Sequence, residues 1–157
     1  MTRRAALLAA LAFAGAATAG IARAQEVRHI NPPGLYDASR YYTHVITVPA
    51  TARTVYIAGQ VGVVPSGAIE ATDMAGQIVQ AFKNLRVAIE AGGARPEHVV
   101  KITALFVDYK REDLEVFTRE LHALFPKDRL PASTVIGAQK LARDGLLFEI
   151  EAVAAVP

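Results

Sequence analysis

Cysteine is absent from all 157 residues, so neither a disulfide framework nor thiolate chemistry is open to this chain. Its stability has to come from a buried core, helped by contacts between subunits. Metal-ligand spacing is missing as well. The four histidines, His29, His44, His98 and His122, are scattered, and without cysteine a zinc site would need several of them to converge. Ser133 and Thr134 have no evident His/Asp partner for nucleophilic catalysis. Gly59-Gln60-Val61-Gly62 lacks the spacing and the strand-to-helix setting of a dinucleotide or phosphate loop. No metal and no cofactor are expected.

An excess of positive charge is also missing once the first residues are set aside. Residues 1–24 read as an export signal: basic Arg3-Arg4, an Ala/Leu/Gly stretch, then Ala22-Arg23-Ala24 with small residues flanking a cut before Gln25. The paired arginines resemble a twin-arginine signal, with the general secretory route as the alternative. The stretch is too poor in strongly apolar residues for a lasting membrane anchor. Its removal takes three of the 17 basic residues and none of the 15 acids, leaving 14 against 15 and a formal charge of −1. Binding a phosphate backbone requires the opposite balance. Residues 25–157 are therefore expected to form one periplasmic or secreted domain that binds neither nucleic acid nor a membrane.

Beyond the extended Asn31–Gly34, alternating patterns predict strands at Thr43–Val48 and Thr54–Ala58 and a short third one at Val61–Val64. The period then changes. Met74, Ile78, Phe82, Leu85 and Ile89 form a helical stripe, capped by Thr72 or Asp73 and stopped by Gly92-Gly93. A strand over Val99–Val107 follows, with Val100, Ile102, Ala104 and Phe106 on its core face. A second helix runs over about Glu112–Phe125, turning Arg111, Glu115, Arg119 and His122 to solvent, and two strands close the chain near Ala132–Gly137 and Leu146–Ala155.

Two amphipathic helices cover one side of a mixed sheet of five or six strands, so the expected class is an α+β layer with both helices on one face. The other face carries Thr103, Leu105, Val107, Leu147 and Val153, too apolar to stay wet, and other subunits are expected to bury it. In the closing strand, Phe148, Ile150, Ala152 and Ala154 point to the core. Glu149 and Glu151 therefore share the open face. Such carboxylates either look into water or hold something in a pocket.

The ordered segments NPPGL (Asn31–Leu35), YTHV (Tyr42–Val45), VYIAGQVG (Val55–Gly62), the helix from Gln77 to Asn84-Leu85, AGGARPEHVVK (Ala91–Lys101), and PAST with EIEAVA at the end resemble the Rid, or YjgF, proteins, the reactive-intermediate deaminases. The resemblance implies a chorismate-mutase-like fold assembled as a homotrimer, its sheets forming a central barrel with clefts between subunits. It also implies cofactor-free hydrolysis of an imine or enamine of a small metabolite to a keto product and ammonia. By the same resemblance Glu151 matches the glutamate that positions the attacking water. Tyr42 matches a pocket tyrosine, and Ala58, Gly59 and Gln60 match a segment lining the cleft. Glu149 reads as structural, and Gly59 and Gly62 as permitting tight backbone geometry near a bulge.

One departure matters. Where deaminating members carry a carboxylate-gripping arginine, this chain has Ser133 or, in the alternative alignment, no residue at all, and it has Thr118 where they often carry an asparagine. The chain resembles an arginine-lacking subgroup, with Ser133, Thr134 and Thr118 as the corresponding substrate-binding positions and Arg143 or Lys101 as possible sources of a cation. A substrate other than a simple 2-imino acid is expected. The alternative is a homotrimer that holds a small metabolite without turning it over. RNA cleavage, attributed to some relatives, fits poorly with export and a mildly acidic mature chain.

Overall fold

Across residues 26–157, which the computed structural model describes, the elements run β1 (Arg28–Ile30), β2 (Val45–Thr47), β3 (Arg53–Val61), α1 (Met74–Ala91), β4 (Val99–Val107), α2 (Arg111–Leu124), β5 (Ala132–Ala138) and β6 (Phe148–Val156). A short 3-10 turn, Pro96–His98, leads into β4. The export segment expected over residues 1–24 lies outside the described residues. Six strands form, but they divide into an antiparallel β1–β2 ribbon and a four-stranded sheet in the order β3-β6-β4-β5. In the larger sheet β6 runs antiparallel to both neighbours and β5 runs parallel to β4. The sheet does not close on itself within one chain.

Both helices pack on one face of that sheet. Ile78, Leu85 and Ile89 from α1 and Phe117 and Leu121 from α2 cover Ile57, Ile102, Phe106, Phe148 and Ile150. The rings of Phe82, Phe106, Phe117 and Phe148 interlock with centroids 4.8 to 6.3 Å apart, which fixes where α2 crosses β4 and β6. A register shift between Val99 and Lys101 turns Val99, rather than the expected Val100, into the core.

Asp73 caps α1, its carboxylate accepting from Gly76 N at 2.8 Å, an arrangement worth about 1 kcal/mol. One turn in, the fully buried Gln77 donates to the Ala71 and Gly145 carbonyls at 3.2 and 2.7 Å and accepts from Leu147 N at 2.8 Å. This one amide joins the start of α1 to the loop that delivers β6. It needs close approach: a Cβ on Gly62 would lie 2.7 Å from Gln77 Cβ.

Two strand expectations are corrected. Val61–Val64 does not form a third strand, because the chain turns there, with Val63 N bonding Val61 O and Val64 N bonding Ala68 O. Asn84 on α1 draws that turn off the sheet by donating to the Val61 and Val63 carbonyls. β1 was not expected; Arg-His-Ile is too short to carry an alternating pattern.

Candidate functional site

On the uncovered sheet face the register sets Glu151 beside Thr103 and Thr103 beside Thr134. One step along, Lys101 lies next to Val153 and donates from Nζ to Thr134 Oγ1 at 2.8 Å. Burial lowers the Lys101 ammonium below its usual pKa, and the Glu151 carboxylate opposes that shift. Glu151 is exposed and, among the described residues, has no ion pair within 4.0 Å. Ala58 and Gly59 lie across from it at a β3 irregularity between Ile57 and Gln60, where Gln60 Nε2 donates to Ala58 O at 3.1 Å. Glu149 folds over Gly59: a Cβ there would sit 2.7 Å from the carboxyl carbon.

A second site lies around the other side of β5. Ser133 pairs with the buried Ile102 and Val135 with the buried Ala104, so both turn to the helix side of the sheet. There they line a groove of about 980 Å³ between α2 and the loop before β2. Tyr42 and Thr118 line it too. Thr118 Oγ1 donates to Leu114 O at 2.7 Å within α2. Tyr42 shares a short hydroxyl contact with Tyr36, which holds its phenol above the usual pKa, and its ring meets His44 edge-on at 5.1 Å. His122 donates through Nε2 to Arg40 O at 2.7 Å, pinning this loop onto α2.

The expected site residues therefore fall into two groups. Tyr42, Thr118 and Ser133 come together in the groove. Glu151, Thr134, Ala58 and Gly59 belong to the opposite, open face, and Gln60 pairs with Ile150 at the irregularity. Neither proposed cation reaches the groove: Lys101 bonds Thr134, and Arg143 bonds Gly67 O at 3.1 Å. The groove holds Arg40, Arg111 and Arg119 instead, beside Glu115. Arg111, Glu115, Arg119 and His122, assigned to solvent from helical spacing, thus rim a cavity. Spacing reports which helix face meets the core; it says nothing about a loop folding back across the rest.

Among the described residues, no three His, Asp or Glu side chains group so as to hold a metal ion, and no helix is long and apolar enough to cross a membrane.

A sequence profile of the family described as Endoribonuclease L-PSP, the YjgF/Rid group, matches residues 35–156. The chain belongs to this family. Among its Rid relatives, the human 2-iminobutanoate/2-iminopropanoate deaminase is 35% identical over 103 residues, which span 65% of this chain and 72% of that protein. An Aquifex aeolicus protein described as a RutC family protein is 30% identical over 101 residues, 63% of this chain and 78% of its own length. Among solved structures, the Rid-family protein YyfB of Yersinia pestis superposes with a TM-score of 0.76 at 30% identity, covering 83% of this chain and 98% of that one. RidA from a Psychrobacter species superposes at 0.59 with 25% identity, over 82% and 99%. The α+β Rid fold expected from the sequence is the one observed.

Proposed function

We propose that this Rid protein is a cofactor-free hydrolytic deaminase of imine or enamine intermediates, working as a homotrimer in which the groove of one subunit meets the open sheet face of the next. The observation that carries the reading is the position of Glu151, a carboxylate without an ion pair among the described residues, on a sheet face that includes the half-buried Leu105 and Val153 and, at its edge, Tyr56, 82% exposed. An apolar face of that kind is expected to be covered. Covering it with another subunit would desolvate Glu151 and give it a cavity to work in. The human relative's name, an imino-acid deaminase, supports the same chemistry.

In this scheme Glu151 takes a proton from a water as its oxygen attacks the imine carbon, giving a tetrahedral amino alcohol. The same carboxylic acid returns the proton to the nitrogen. Glu151 then takes the C–OH proton and passes it to the amino nitrogen as the C–N bond breaks and the C=O bond forms, so the products are a ketone and ammonia. Tyr42, Ser133 and Thr118 contact the rest of the substrate, and the Ala58–Gln60 backbone closes the cleft behind the reacting carbon.

Ser133 supports a finer assignment, to an arginine-lacking subgroup whose substrate is not a simple 2-imino acid. The same residue favours a second reading, in which the cleft binds a metabolite without turnover. We also infer that residues 1–24 direct export and that the trimer works in the periplasm or outside the cell. Ammonia release from a panel of imines and enamines generated in situ, 2-imino acids among them, tests the main reading. The wild type is expected to accelerate release and Glu151→Gln to abolish the acceleration, whereas equal rates with both proteins would reject it.

A further inference from the structure

Four of the five tyrosines of this chain, Tyr36, Tyr41, Tyr42 and Tyr109, line the one groove that also holds Arg40 and Arg111. We propose that this groove takes a planar aromatic acid, its ring among the tyrosines and its carboxylate on Arg40 and Arg111. The inference rests on the cleft reading above and names its substrate class.

Size is the first argument. At about 980 Å³ the groove lies at the upper end of sites that enclose drug-sized ligands, roughly 300–1,000 Å³, and is far larger than a three-carbon imino acid needs. The second argument is the wall. Tyr36 and Tyr42 meet edge-to-face with centroids 6.3 Å apart, and Tyr36 meets His44 at 5.5 Å, so ring faces and edges are presented to a ligand that can pack against them. Tyr36 is 66% exposed and Tyr109 45%, so within one chain both rings keep open surface for a ligand.

Charge is the third. The groove carries three guanidinium groups against the single carboxylate of Glu115. Arg119 is engaged by Glu120 at 3.0 Å. Among the described residues Arg40 and Arg111 have no ion pair; the Arg40 guanidinium lies 5.7 Å over the Tyr41 ring. Tyr41 and Arg40 thereby form one surface, on which a guanidinium fork stays free for a carboxylate. The cation absent from position 133 is replaced from the loop before β2 and the start of α2, further from the sheet. A longer acid fits that spacing.

Calorimetric titration of the full-length protein with phenylpyruvate, pyruvate and phenylacetone separates the ring from the acid. Phenylpyruvate is expected to bind at least about tenfold more tightly than either of the others, and the double variant R40Q/R111Q to lose about tenfold for phenylpyruvate while leaving phenylacetone unchanged. Arg143→Gln, outside the groove, should change nothing, and unaltered circular dichroism checks that each variant folds. Equal affinity for pyruvate and phenylpyruvate, or indifference to R40Q/R111Q, overturns the inference even where ammonia release from 2-iminopropanoate upholds the deaminase reading. Selective, arginine-dependent phenylpyruvate binding with no ammonia release from any imino acid sustains the inference and sinks that reading instead.

Discussion

Ser133 and Thr134 are adjacent in sequence and open onto different sites: Ser133 lines the tyrosine groove, while Thr134 accepts a hydrogen bond from Lys101 on the uncovered sheet face. A guanidinium placed at these two positions should therefore do different things. Ser133→Arg is expected to raise kcat/KM for 2-iminopropanoate by about tenfold or more, one charge-assisted contact being worth roughly 1.5–3 kcal/mol. Thr134→Arg should give no such gain. Steady-state ammonia assays on the two variants check this, and equal gains would show that the faces are not distinct.

Gln77 predicts a stability effect remote from chemistry. Gln77→Leu strips partners from the Ala71 and Gly145 carbonyls and the Leu147 amide at once, at a cost of about 3 kcal/mol. Urea denaturation should show a lower midpoint with an unchanged slope.

Two glycines should respond differently to alanine. At Gly62 the new Cβ meets Gln77 Cα and Cβ at 2.8 and 2.7 Å, atoms held in a helix, so a loss of about 1–3 kcal/mol is expected. At Gly59 the three nearest atoms all belong to the Glu149 side chain, which can swing aside. Gly59→Ala should cost under about 1 kcal/mol, and Glu149→Ala should remove most of that cost in a double-mutant cycle.

Acid should destabilise the fold through His29. Thr43 Oγ1 spends its proton on Leu130 O at 2.6 Å, so it accepts from His29 Nδ1 at 3.3 Å. Burial, with a smaller contribution from Arg129, holds His29 below its ordinary pKa of 6.5, while the Leu130 carbonyl and Asp128 act in the opposite sense. A depressed folded-state value means the unfolded chain binds more protons near that pH, so stability is full above 6.5 and falls as the pH drops through the folded value. His98, lowered chiefly by burial, acts in the same direction. Urea midpoints between about pH 7.5 and pH 5 should decline, and less steeply in His29→Gln.

Much of this architecture was legible from periodicity. The stripe from Met74 to Ile89 and the alternation of Phe148–Ala154 are burial patterns, and burial is what arranged the helices and the open face. The expected polar site was harder to read. Alternation does separate Ser133 from Thr134, but the resemblance placed both in one cleft, and only strand register shows which face each takes. The groove arises because Tyr36 to Tyr42 fold back over α2, a contact between residues some eighty apart that leaves no periodic trace.

The central claim, that one cleft draws on two subunits, is tested most directly by mixing two inactive variants. Glu151→Gln spoils the open face and Tyr42→Ala the groove, and each alone should release little ammonia. Denatured together in equal amounts and refolded, they should recover roughly a quarter of wild-type activity, the fraction of clefts built from two intact halves. No recovery from a mixture shown to form mixed trimers would place both groups in a single chain's site and contradict the account.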